Sequence, residues 1–164
     1  MSWRIELLSR SHHRDNFDCG EEDLDQFLRR YARQNDAKDI SRTYVLLDGD
    51  GLDIVGYYTI CSASVSFQCL PDDIASKIPR YPIPTAHIGR LAVDHSRQGQ
   101  KLGALLLVDA LKRIRIAANT MGIYAVTVQA LHSKAAGFYK AFGFQQFKDD
   151  QLHLFLPMAT IRNL

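Results

Sequence analysis

The stretch RQGQKLGA, Arg97 to Ala104, sets a guanidinium, an ammonium and two glycines where an alternating apolar segment hands over to a helical apolar pattern. The chemistry this arrangement suits is anion binding. A helix N-terminus leaves N–H groups unpaired and carries roughly half a positive charge, so it attracts phosphate. Gly99 and Gly103 permit close backbone approach and positive φ. Arg97 can grip a phosphate with a planar fork. The spacing is neither that of a P-loop nor the GxGxxG of a dinucleotide site, and no βαβ unit with a ribose-binding acid follows. Taken alone, the loop fits either a pyrophosphate site of another kind or a polar turn at a tight connection.

The elements that must position this loop are legible from periodicity. EEDLDQFLRRYARQND carries Leu24, Phe27, Leu28, Tyr31 and Ala32 on one helical stripe, with acids at its start and Arg29, Arg30 and Arg33 towards its end. RTYVLL and DIVGYYTICSASVSF read as strands joined at DGDG, a hairpin signal. CLPDDIASKIPRYPIPT is too proline-rich for a long element and reads as a short helix and a loop. AHIGRLAV is a strand leading into the glycine loop and then a helix to about Asn119. IYAVTVQAL is a strand, SKAAGFYKAFGF a short helix stopped at Gly143, and LHLFLPM a closing strand. The result is one α/β domain over residues 1–164 with mixed strand pairing, without repeat or linker.

Composition narrows the classes. The chain has 164 residues, 46% hydrophobic and 23% charged, enough for a real core. No apolar run approaches the roughly 20 residues of a membrane span, and MSWRIELLSR lacks a signal-peptide core, so the expected place is the cytoplasm. Cys19, Cys61 and Cys69 are odd in number and lack metal spacing, so neither a disulfide framework nor a metal site is expected. A net charge of +2 does not by itself argue for nucleic acid.

Two motifs resemble those of the GNAT acetyltransferase superfamily. Gln98 to Gly103 resembles its [QR]-x-x-G-x-[GA] pyrophosphate fingerprint, with Lys101 standing where the first glycine of that pattern is expected. Ala135 to Phe144 matches A-x-x-F-Y-x-x-x-G-F, with His132 in the place of the usual Asn or Asp and Ser133 available as helix cap. FDCGEEDLDQFL, SRTYVLL, VGYYTICSASV, PRYPIP, IGRLAVD and LFLPM, in that order, resemble the GNAT toxins of bacterial toxin–antitoxin modules.

The resemblance implies a GNAT fold: a central mixed, mostly antiparallel sheet splayed around an acetyl-CoA site with flanking helices. It implies acetylation of the α-amino group of aminoacyl-tRNA, blocking translation, by a homodimer partnered by a ribbon-helix-helix antitoxin. It places pantetheine on the backbone of Leu91, Ala92 and Val93. The diphosphate falls to Arg97, Gln98, Gly99, Gln100, Lys101, Leu102, Gly103 and Ala104. Tyr139 is implied as general acid to the departing thiolate, since a phenol of reference pKa near 10 is protonated at pH 7. Phe138, Phe142 and Phe144 read as core.

No residue is forced into the role of base: an α-amino group has a reference pKa near 8, and the adjacent ester of an aminoacyl-tRNA lowers it further, so much of it is already neutral. His87 reads as a structural strand histidine, and His12 and His13 as facing solvent. Arg29, Arg30, Arg33, Lys38 and Arg42, with Lys77, Arg80 and Arg90, are the candidate RNA contacts. Each taken singly also fits ordinary helix-end charge. Two other readings stand beside the toxin: a GNAT acting on a small amine or a protein N-terminus, and a degenerate GNAT serving as a binding partner.

Overall fold

β-Branched and aromatic residues suit a pleated, half-buried surface. RTYVLLD and GYYTICSASV form antiparallel strands, β2 (Arg42–Asp48) and β3 (Gly56–Val65), in the computed structural model of the protein. The structure describes residues 2–164, in two units: 2–61 with 89–110, and 62–88 with 111–164.

In the first unit β1 (Trp3–Leu7) pairs antiparallel with β2, from Trp3↔Asp48 to Leu7↔Tyr44. The strand order runs β1-β2-β3-β4, where β4 is Ile83–Val93. The amphipathic run is α1 (Glu22–Gln26), a π-helical turn at Phe27–Tyr31, and α2 (Ala32–Ala37). Periodicity predicts one continuous helix, and the widening accompanies two claims from outside it. The Tyr57 hydroxyl donates to the Leu24 carbonyl at 2.7 Å, and Arg29 donates to the Phe17 carbonyl at 2.6 Å. Phe17 meets the Tyr57 ring edge-on and Phe27 stacks on it, in a core with Leu28, Val45, Leu47 and Ala92. Each of the larger apolar side chains, Phe17, Phe27, Leu28, Val45 and Leu47, contributes about 1.5–3 kcal/mol by leaving water.

His12 corrects the sequence reading. It is buried, its Nδ1 accepting from the Ser9 N–H at 2.9 Å and its Nε2 2.6 Å from Glu6. That contact holds the Glu6 carboxyl below the usual range. His13 is exposed as expected and faces Asp53.

In the second unit β4 pairs parallel with β5 (Ala125–Gln129), from Thr85↔Ala125 to Ile88↔Val128. β5 pairs antiparallel with β7 (His153–Pro157), and β7 with the two-residue β6 (Gln145–Gln146). The seven strands are therefore mixed and mostly antiparallel in the register found. The helices are α3 (Asp72–Ala75), α4 (Leu102–Ala117), α5 (Ser133–Ala141) and α6 (Met158–Ile161). The strands β3 and β4 and the helix α4 each pass along the chain from one unit to the other. Leu70, Ile83, Ala125, Phe147 and Phe155 form the second unit's core. No helix among the described residues is long and apolar enough to cross a membrane.

Gly56 is required by close approach. A Cβ there would lie 2.9 Å from the Ala92 carbonyl oxygen and 3.0 Å from a Leu106 methyl. Gly56→Ala is expected to cost about 1–3 kcal/mol of stability, read as a lowered urea midpoint. An unchanged midpoint would mean that β3 and β4 separate there without cost.

Candidate active site

The glycine loop is built outward from the end of β4. Asp94 follows Val93, and its N–H donates to the Val55 carbonyl at 2.7 Å. Its carboxylate accepts from the Asp18 N–H at 3.0 Å, from the Ser96 N–H at 3.0 Å and from the Ser96 hydroxyl at 2.7 Å. Burial opposes its ionisation, but these bonds outweigh it and hold the carboxyl below the usual carboxylate range. The next side chain, His95, donates from Nδ1 to the Asp18 carbonyl at 2.8 Å, which raises its own pKa. His95–Arg97 make a single 3₁₀ turn.

Arg97 donates to Asp48 at 3.1 Å, with its guanidinium 5.6 Å from the centre of the Trp3 ring. Part of the fork is thus occupied by the protein. Gln98 donates its amide to the carbonyls of Val93 (3.1 Å) and Cys19 (3.2 Å), tying the loop to the strand it leaves. Asp94, Asp18 and Cys19 carry no site role in the sequence reading. Only the Asp-x-Ser spacing at 94–96, a turn signal, could have pointed to the first.

Gln98, Gly99, Gln100 and Lys101 are all exposed. Gly99 has φ +85° and Lys101 φ +61°. The second left-handed position therefore falls on Lys101, not on Gly103, which lies within α4. The Leu105 N–H bonds back to the Lys101 carbonyl at 3.2 Å, closing the first turn of α4. The N–H groups of Leu102, Gly103 and Ala104 precede any carbonyl four residues back in that helix, the usual arrangement for an anion. A diphosphate fits this donor set: exposed loop, unpaired N–H groups, a free ammonium at Lys101, and open space where a Gly99 Cβ would lie. Of the strand residues, Ala92 is buried, and Leu91 and Val93 are half-buried.

Tyr139 lies in α5 of the second unit, its ring buried between Phe138 (centroids 5.2 Å apart) and Phe144 (5.5 Å). Its hydroxyl has no hydrogen-bond partner among the described residues, yet is not among the sealed, unsatisfied polar atoms. Burial pushes the phenol up to about 12, so it stays protonated at neutral pH. The cap of α5 is a correction. His132 itself is the N-cap, its Nδ1 accepting from the Ala135 N–H at 3.2 Å, and Ser133 is the first helical residue. An unprotonated imidazole nitrogen replaces the Asn or Asp oxygen here. Gly143, at φ +98°, stops the helix as its sequence position predicts.

The candidate RNA cations separate into two groups. Arg29 is drawn to Phe17, Arg42 bonds Asp36 and Asp39, and Arg90 lies over the Phe27 ring at 3.6 Å. Arg30, Arg33, Lys38, Lys77 and Arg80 have no ion-pair or hydrogen-bond partner among the described residues. His87 is half-buried on β4 with its Nδ1 2.8 Å from the Thr127 hydroxyl. Cys19, Cys61 and Cys69 are free thiols whose pKa values burial raises, Cys19 to about 12, so none is a ready nucleophile. The described residues hold no cluster of three His, Cys, Asp or Glu fit for a metal.

Comparison with known proteins places this geometry. The family model described as an acetyltransferase (GNAT) domain matches residues 17–160. A tRNA-acetylating toxin of Mycobacterium tuberculosis (strain ATCC 25618 / H37Rv) is 40% identical, covering 91% of this chain and 88% of that protein. The structure of AtaT complexed with acetyl-methionyl-tRNAfMet superposes with a TM-score of 0.91 at 34% identity, covering 99% of this chain and 98% of that one. A tyrosine-to-phenylalanine mutant of AtaT, bound to the C-terminus of the antitoxin AtaR and acetyl-CoA, gives 0.84 at 31% identity, covering 99% and 97%.

The left-handed Lys101 yields a test. Its conformation costs about 1–3 kcal/mol, and glycine's added chain entropy returns about 0.5–1 kcal/mol. Lys101→Gly is therefore expected to raise Tm by about 2–4 °C, whereas Lys101→Ala, which keeps a Cβ, gains nothing. Equal Tm values for both would show that the turn stores no strain.

Proposed function

The chain belongs to the GNAT acetyltransferase family, and from that premise we propose that it is a toxin which acetylates the α-amino group of aminoacyl-tRNA and so blocks translation. The observation that carries the mechanism is Tyr139: a buried ring, a phenol held protonated, and a hydroxyl with no partner of its own. The likeness to a tRNA-acetylating toxin and to AtaT with acetyl-methionyl-tRNA supports the substrate.

Acetyl-CoA supplies the acetyl group on a thioester. In this reading the chain binds its diphosphate at the Arg97–Ala104 loop, through backbone N–H groups at the start of α4, with Lys101 and Arg97 beside them. The backbone of Leu91, Ala92 and Val93 lies along pantetheine and turns the acetyl carbonyl towards the amine. The neutral α-amino nitrogen forms the new bond to carbon as the bond to sulfur breaks. Tyr139 gives its phenolic proton to the leaving sulfur, and the proton released from the amine nitrogen returns through water to the phenolate. No protein base is required, because the adjacent ester lowers the amine's pKa below the α-amino reference value near 8 and leaves much of it neutral. Arg30, Arg33, Lys77 and Arg80, exposed or half-exposed and unpaired, are the contacts to the RNA backbone. The same reading makes the protein a cytoplasmic homodimer held in check by a ribbon-helix-helix antitoxin; AtaT with the C-terminus of AtaR supports the antitoxin.

Labelled acetyl is expected to pass from acetyl-CoA to charged tRNA, and not to deacylated tRNA or spermidine. Label on spermidine alone would overturn the substrate. Tyr139→Phe keeps the packed ring and removes only the proton, so transfer should fall about 10²–10⁴-fold with Tm unchanged. Because burial raises the phenol's pKa to about 12, the alkaline loss of kcat that an ordinary phenol would give near pH 10 should be absent. Full activity in Tyr139→Phe would remove this residue from the mechanism.

A further inference from the structure

Two aromatic side chains are exposed among the described residues, Tyr31 at 48% and Tyr81 at 61%. Each directly follows an exposed arginine without a partner, Arg30 in RRY and Arg80 in PRY. A singly exposed aromatic is ordinary on a protein surface. A bare ring next to an unpaired guanidinium, found at both exposed aromatics, is a more specific combination. It is what recognition of unpaired nucleic acid uses, with bases stacking on rings and cations following the backbone.

The site at Tyr81 is the better prepared of the two. Its loop, Ser76 to Pro82, contains Lys77 and Arg80, both exposed, and no acidic residue. Of the two acids that precede the loop, Asp72 is engaged by Lys148 at 2.6 Å and Asp73 is exposed. Pro79 and Pro82 fix φ on either side of the Arg80–Tyr81 pair, and Pro84 lies just inside β4. A ring carried on a stiff backbone loses less freedom when a ligand covers it. The sequence reading marks Lys77 and Arg80 as cations but leaves Tyr81 without a role.

We propose that Tyr81 is a stacking platform for an unpaired base at the acceptor end of the tRNA, with Arg80 and Lys77 on the flanking phosphates. This rests on the aminoacyl-tRNA reading, since a charged tRNA presents its amino acid at a single-stranded end. The ring contributes binding that is indifferent to the transferred acetyl group, so its removal affects substrate capture and not the chemical step.

The test is steady-state kinetics with charged tRNA and acetyl-CoA. Tyr81→Ala should raise KM for charged tRNA about 5- to 150-fold, the range of one lost base stack, and leave kcat, the KM for acetyl-CoA and Tm unchanged. Tyr81→Phe and Tyr81→Trp should keep the wild-type KM, whereas Tyr81→Leu, apolar but without a π-face, should behave like Ala. Arg80→Ala should raise KM and lower the salt dependence of binding by about one unit of slope. A wild-type KM in Tyr81→Ala would overturn the platform, as would a variant that loses only its grip on an antitoxin, marking a protein contact instead. Should the wild-type protein fail to acetylate charged tRNA at all, the functional reading falls first, so the two failures are distinguishable.

Discussion

The carboxylate of Asp94 sets the point at which β4 stops being a strand. Two of its oxygens take three hydrogen bonds, two from Ser96 and one from the Asp18 N–H, while its own N–H is held by Val55. Charge-assisted bonds of this kind are roughly twice as strong as neutral ones, and the carboxyl's lowered pKa keeps the charge in place through neutral pH. The consequence is geometric. With Asp94 anchored to Val55, just before β3, on one side and to the segment before α1 on the other, the 3₁₀ turn at His95–Arg97 has one way to leave the strand. Gln98 then reaches back to Val93 and Cys19. The start of α4, and with it the direction of its unpaired N–H groups, follows from that anchor.

The loop beyond the anchor is dear in conformational terms. Two left-handed positions occur within three residues, and only one is glycine. The glycine needs no room for close packing, since nothing lies within 4 Å of where its Cβ would be. Its role is φ alone. Lys101 carries the same backbone conformation against a Cβ. What the lysine offers in exchange is an exposed ammonium one residue before the N–H groups of α4, with no partner among the described residues. A doubly charged diphosphate would supply one, so backbone strain and electrostatic attraction are located on the same residue.

Periodicity was enough to place most elements of this chain, because each buries one face and the pattern survives in the residues. RTYVLL, AHIGRLAV, IYAVTVQAL and LHLFLPM are all strands, and the glycine stop at Gly143 lies where it was expected. What sequence could not show are features decided by a distant partner. The π-helical turn at Phe27–Tyr31 depends on Tyr57 and Phe17 taking up groups near it. His12 is buried because Glu6 and the Ser9 N–H meet both ring nitrogens, and no local signal distinguishes it from exposed His13. The arginines carry the same lesson. Arg29, Arg42 and Arg90 look like Arg30 and Arg80 in the sequence, but a carbonyl, two aspartates and an aromatic face hold them. Charge counted along the chain therefore overstates the charge left for a polyanion.

For Tyr139 the structural and the chemical accounts apply to different atoms of one side chain. The ring belongs to the aromatic packing of α5, with Phe138 and Phe144 against it at tilted or edge-on angles that suit π-systems. Packing of this kind fixes the ring and denies solvent to most of it, and that same burial raises the phenol's pKa. The hydroxyl has no acceptor for its proton among the described residues. A buried tyrosine ordinarily finds a hydrogen-bond partner, as Tyr57 and Tyr58 do here with Leu24 and Asp109. Those two are structural latches because their protons are engaged. The phenol without a partner is the one whose proton remains to be given, and the helix that carries it is fixed at both ends, by His132 and by Gly143.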